Sequence, residues 1–257
     1  HANVTSVFNQ TAVGGNGITY FMNKSLQSAL KSTYSVLGQT PQFSKFFELL
    51  NGVPDTCVSQ IFSQQGVDYR INFFNNYRYT IYVPTNEAIQ AALDNGTLTP
   101  WSTIYAIEPG VAKSVNRSAA INKMIRFLRY HFQDDAVFFG QNVNAVYQSA
   151  TIKQGSETSH WNTARNKYYK IGVSGDGNSM ILTSETNHSA KVLTDNGLYN
   201  IVVKDFMFSN ASSTLTKPID FNNVDGTGSK NAAFTTSRIS SSSSAVIHQI
   251  DNILTFQ

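Results

Sequence analysis

Few side chains in this sequence are of types that carry chemistry, and their spacing decides what they could do. His131, His160, His188 and His248 are scattered, with no His-x-x-x-His pair and no carboxylate-rich loop beside them. A zinc or calcium centre needs several convergent ligands, so neither a metal nor a cofactor is expected. Asp134-Asp135 is a lone acidic pair that reads as a solvated turn, and Asp176 sits at a Gly-Asp-Gly hairpin tip. His248 and Asp251 stand three apart in an apolar strand-like run. On a strand that spacing puts them on opposite faces, so they form no dyad. Cys57 is the single cysteine. It can form no internal disulfide and has no His near it in sequence, which fits a structural thiol. No nucleophile elbow, phosphate loop or dinucleotide fingerprint occurs. A glycan hydrolase would need two carboxylates about 5–10 Å apart across a cleft, and the sequence marks no such pair. No catalytic residue is expected, and the chain reads as a non-enzyme.

Two aromatic features remain. Tyr69 to Tyr82 packs many aromatic rings together with Arg70 and Arg78. Tyr77 and Tyr79 could stack on sugar rings. Alternatively, every second ring enters a core and the rest lie outside it. Tyr130-His131 ends an amphipathic stretch. It could be a recognition point, or an imidazole bonded to backbone inside the fold.

These residues need elements to position them. With 257 residues, the chain can bury a sizeable core. Charged residues are only 14%, and the net charge of +3 is well mixed, so nucleic acid is not an expected partner. No run approaches the ~20 apolar residues of a membrane span. Helices are expected over 24–37, stopped by Gly38, and over 42–51. Tyr79 to Val83 reads as a strand stopped by Pro84. Thr85 or Asn86 then caps a helix reaching about Leu93. Residues 97–117 read as loop, followed by a helix over 119–130 capped by Ser118. Strands are expected at Val143–Ile152, Tyr168–Val173, Ser179–Thr183, Lys191–Leu193 and Tyr199–Phe208. Asn75-Asn76 could turn a hairpin. Residues 209–244 read as a long polar loop, with Ser240 to Ser244 a flexible approach to a last strand.

Three segments in order carry a resemblance. They are Thr80-Ile81-Tyr82-Val83-Pro84-Thr85-Asn86-Glu87-Ala88, then Leu128-Arg129-Tyr130-His131, then Ala245-Val246-Ile247-His248-Gln249-Ile250-Asp251-Asn252-Ile253-Leu254. Together they resemble the signature boxes of the fasciclin-like domain, an extracellular adhesion module. The resemblance implies an α+β fold, a β-sandwich or wedge with helices on one side. It implies that the first and last boxes pair in the core. Thr80, Val83, Pro84, Thr85, Asn86, His248 and Asp251 would then be mainly structural. Tyr77, Tyr79, Tyr130 and His131 would be the candidate binding residues.

A short internal repeat sets the expected boundary. Ile18, Met22 and Leu26 match Val246, Ile250 and Leu254, while Tyr20 stands where His248 stands. Residues 1–38 are therefore expected to be the tail of a preceding fasciclin-like repeat and a linking helix, with residues 39–257 forming the domain. The stretch Trp161 to Lys170 and the Gly-Asp-Gly turn resemble expanded fasciclin-like surface lipoproteins of Gram-negative gut bacteria. The expected location is the cell surface or outside the cell, outer-membrane-anchored, with membrane contact only through an anchor outside this chain. The expected partner is a surface or matrix protein, or a glycan. The alternative is a structural spacer in a lipoprotein of a glycan-uptake system.

Overall fold

The computed structural model describes residues 4–9, 17–23, 29, 31–65, 68–72, 74, 78–153, 167–209 and 238–256. The chain divides into two compact units, His1–Leu30 and Lys31–Gln257. In the first, β1 (Val4–Asn9) and β2 (Ile18–Met22) form an antiparallel hairpin with Val7 opposite Tyr20.

The second unit begins earlier than the sequence suggested. Its first helix, α1 (Thr33–Gln39), is capped by Ser32, whose hydroxyl accepts from Ser35 N at 3.0 Å. Gly38 lies inside this helix rather than ending it. Thr33 N and the Thr33 hydroxyl are tied to Asp205 and Tyr79, so α1 belongs with the following elements. A 3-10 turn at Pro41–Phe43 leads into α2 (Ser44–Asn51), which buries Phe46, Leu49 and Leu50. The hairpin of β3 (Phe62–Gln65) and β4 (Asp68–Ile71) was not expected. The turn proposed at Asn75-Asn76 lies outside the described residues.

β5 (Arg78–Pro84) is buried from Tyr79 onward. Thr85 then caps α3 (Asn86–Asp94), its hydroxyl accepting from Ala88 N at 3.1 Å. Thr85→Ala is expected to cost about 1 kcal/mol in denaturant unfolding, the usual worth of such a cap. Residues expected to be loop hold α4 (Trp101–Tyr105), whose indole Trp101 Nε1 donates to Leu49 O at 2.8 Å. The Trp101 ring lies where a side chain at Gly52 would stand, so only glycine fits there. α5 (Val115–Tyr130) starts four residues before the expected 119 because Ser114, not Ser118, accepts from Arg117 N at 2.9 Å. The Ser118 hydroxyl instead donates back to Ser114 O. Met124, Ile125, Phe127, Leu128 and Tyr130 make its buried stripe.

The remaining elements are strands: β6 (Phe132–Asp134), β7 (Asn142–Ile152), β8 (Tyr168–Asp176), β9 (Met180–Thr183), β10 (Ser189–Lys191), β11 (Ile201–Ser209) and β12 (Arg238–Ile250). With β5 they form a mixed eight-stranded sheet in the order β10-β9-β8-β7-β6-β5-β12-β11. Its two halves meet at a corner where Gln133 pairs with Ser149. The sheet then curls until Val192 bridges Ile250, Leu193 N donates to Gln249 O and Asp251 N donates to Lys191 O. The Ser240–Ser244 run is not a flexible approach. Its backbone is strand, with Ser241 opposite Met207 and Ser244 opposite Lys204. The ladder with β11 orders it through main-chain hydrogen bonds, which do not depend on side-chain type.

The expected pairing of the outer boxes is present. β12 runs parallel to β5 in the sheet interior, with Val246 opposite Thr80, His248 opposite Tyr82 and Ile250 opposite Pro84. A strand covered on both faces buries consecutive residues rather than alternate ones. That is why Thr80, Ile81, Tyr82 and Val83 are all buried despite pointing to opposite sides.

Candidate functional site

The box residues act as internal fasteners. The Thr80 hydroxyl donates to Asp135 O and accepts from Val137 N, both at 2.9 Å. Val83 is fully buried, and Pro84 closes β5. Thr85 N donates to Ile250 O across the pair. The Asn86 amide accepts from Lys45 N and donates to Pro41 O, joining α3 to α2. The Asp251 carboxylate accepts from Lys191 N at 2.7 Å and so holds the β10 edge against the end of β12.

Both box histidines are wired alike. His131 Nδ1 donates to Phe127 O at 3.0 Å, and its Nε2 accepts from Leu254 N at 3.1 Å. His248 Nε2 donates to Val137 O at 2.8 Å, and its Nδ1 accepts from Asn200 N at 3.4 Å. Each ring therefore has one nitrogen facing a carbonyl and the other facing an N–H, an arrangement that admits only the neutral imidazole. Burial lowers both pKa values to about 4.

Three of the four candidate binding residues are interior. Tyr79, Tyr130 and His131 are fully buried. The Tyr79 hydroxyl bonds Thr33 Oγ1 and donates to Asp205 at 3.1 Å. The Tyr130 hydroxyl donates to Lys170 O at 2.7 Å and accepts from Glu185 N at 2.8 Å, which fastens α5 to the sheet. Burial raises the pKa of both phenols. They are packing and fastening groups, not contacts for a ligand at the surface. Tyr77 lies outside the described residues. The structure brings His248 and Tyr82 together as stacked rings 6.1 Å apart, while His131 packs with Phe127 and Phe46.

Two grooves border α5. One groove of about 350 Å³ runs between Thr97–Thr99, Ile104 and the α5 residues Ala120, Met124 and Phe127. A second, of about 530 Å³, lies between Gln60, the α5 residues Ala119, Asn122, Arg126 and Arg129, and Thr151–Ile152 of β7. Lys123 and Phe256 border both. Phe256, Tyr169 and Tyr130 form an aromatic cluster with centroids 4.7–6.3 Å apart. The Arg126 guanidinium rests 5.3 Å from the Phe256 ring centre and 5.8 Å from that of Tyr169. From the sequence, Lys123, Arg126 and Arg129 register only as lying off the apolar stripe of α5. The missed signal is that the helix carries four basic residues, Arg117 included, and no acidic one.

No family model and no curated protein matches the chain. The solved structure of a FAS1 domain pair from the insect cell adhesion molecule Fasciclin I is similar to it, with a TM-score of 0.38 and 15% identity. The match covers 83% of this chain and 45% of that one, so the chain spans less than half of that structure's length. At this level the overlap does not by itself define the fold. Among the described residues no helix is long and apolar enough to cross a membrane.

Proposed function

We propose that this chain is a non-enzymatic adhesion or binding module of fasciclin-like fold, a curled wedge with helices packed against it, displayed at a cell surface. The observation that carries the reading is the meeting of the outer boxes. Segments about 165 positions apart in sequence (Thr80 and Ala245 at their starts) lie side by side as parallel interior strands. Such a scaffold holds its surface loops and grooves fixed, which suits recognition of a protein or glycan. Anchoring of the whole protein as a bacterial outer-membrane lipoprotein belongs to the same proposal.

A second reading, a spacer built of tandem domains, is favoured by the first unit. β2 holds the first copy of the internal repeat and pairs antiparallel with the strand before it. β12 pairs with β11 in the same way. β1 and β2 would then belong to the tail of a preceding repeat.

Biosensor titration against a panel of immobilised extracellular glycans and proteins separates the readings. Saturable binding to a chemically coherent subset is expected of a recognition module. A flat response across the panel would leave only the spacer.

A further inference from the structure

We infer that the free edge of β2 and the two apolar faces of the β1–β2 hairpin are an interaction surface, completed by a parallel β-strand from a domain that precedes this one in the same protein. The inference rests on the tandem reading above and names the strand that reading requires.

The argument starts from apolar surface. Val4, Val7, Phe8, Ile18, Tyr20 and Phe21 are each 48–58% exposed. Cross-strand partners share a face, and successive residues alternate between faces. Val7 is opposite Tyr20, so those two and Ile18 lie on one face. Phe8 is opposite Thr19, which puts Phe8 and Phe21 on the other. A hairpin lying on a protein surface needs only one apolar face. Apolar residues on both mark strands that are covered from both sides. Two strands alone are at best marginally stable in water, so this hairpin needs a cover.

The chain itself contains the completed arrangement. Ile18 and Met22 match Val246 and Ile250 of β12. β12 is buried without interruption from Ala245 to Ile250. It pairs antiparallel with β11 on one edge and parallel with β5 on the other. β2 pairs antiparallel with β1, the strand before it, as β12 does with β11. Among the described residues the second edge of β2 carries no strand. The place open beside β2 is thus the one that β5 fills beside β12.

The same pairing gives the register. Thr80, Tyr82 and Pro84 stand opposite Val246, His248 and Ile250. The incoming strand should set its counterparts of those three opposite Ile18, Tyr20 and Met22. It should be apolar on both faces, since it too is enclosed, and end in proline ahead of a helix as β5 does. It should lie within about 100–200 residues before β2, the length of one domain.

Other occupants fit less well. β5 cannot be that strand, because its edges are taken by β12 and β6, in this copy and in a second one alike. Two hairpins joined edge to edge would satisfy unpaired backbone groups but leave both apolar faces bare.

The test compares this chain with the same protein extended upstream by about 200 residues. Chymotrypsin cuts after Phe8, Tyr20 and Phe21. In the extended protein those bonds should be cut about tenfold more slowly than in this chain, because covered backbone opens rarely. Tyr20→Glu in the extended protein should lower the urea midpoint of the preceding domain and leave that of Lys31–Gln257, a separate compact unit, unchanged. An unchanged midpoint in both would overturn the inference. A crystal structure of the extended protein reads the pairing directly. A parallel strand beside β2 is expected. An antiparallel strand or a bare edge there loses this inference and keeps the tandem reading. If this chain alone sediments as a dimer with the three bonds already protected, a second copy is the cover and the inference fails. If no domain precedes this one, the inference and the tandem reading fall together.

Discussion

Acidification from pH 7 to pH 4 is expected to remove about 6 kcal/mol of folding stability through two side chains, His131 and His248. Both are buried as neutral rings with pKa values of about 4. In the unfolded chain each returns to about 6.5. Between those values the unfolded state binds more protons than the folded one, so stability falls as pH falls. Linkage gives about 2 kcal/mol for each ring by pH 5 and about 3 kcal/mol by pH 4. The physical reason is in the contacts. Protonation puts an N–H on His131 Nε2, which faces Leu254 N, and on His248 Nδ1, which faces Asn200 N. Asp205 works in the other direction. Its pKa is raised by burial, so it lends stability as pH falls and offsets part of the loss. Denaturant midpoints from pH 7 to 4.5 check the slope. Proton resonances of the imidazole rings check its source, since His131 and His248 should not titrate above pH 5. A flat stability profile, with His131 and His248 titrating near 6.5, would contradict this account.

Replacing Asp205 with alanine is expected to cost about 4 kcal/mol at pH 7, or to prevent folding. This carboxylate is almost fully buried on β11. It accepts from Thr33 N at 2.8 Å, from Ile71 N at 3.1 Å and from the Tyr79 hydroxyl at 3.1 Å. It also favours the charge of the nearby buried Arg70. One side chain thus joins the start of α1, the end of β4 and the start of β5. Alanine leaves those donors buried without this acceptor, and each such loss costs about 1–3 kcal/mol. Breaking a buried charge cluster from one side costs about as much again. Asp205→Asn keeps the shape but turns an amide N–H toward a donor, so it should be only partly milder. Urea unfolding of the two variants measures both effects. A loss under about 1 kcal/mol in Asp205→Ala would show that the three elements are held by apolar packing instead.

Much of the scaffold was legible because its signals are local. Thr85 and Glu87 ahead of an apolar run mark the start of α3, and Pro84 marks the end of β5. The Gly-Asp-Gly turn joins β8 to β9 as read. What misled was the assumption that strand residues alternate between core and solvent. β5 has elements on both faces, so Tyr79 and Tyr82 are both interior, while Tyr77 lies outside the described residues. Asp205 gave no sign in sequence, because its partners lie 126 to 172 positions away. The β3–β4 hairpin was missed for lack of a two-residue Asn-Gly or Asp-Gly turn. The Ser-rich end of the sequence reads as linker by composition, yet β11 supplies a ladder for Arg238–Ser244 that composition cannot reveal. The basic wall of α5 was visible in the residues. What faces it, Thr151–Ile152 and Phe256, is set by tertiary packing.

Adhesion itself is the claim to measure. Beads coated with this chain should be held under flow on at least one surface bearing an extracellular protein or glycan and released by the same molecule in solution. If coated and bare beads leave every glycan and protein surface equally, this chain is not a recognition module.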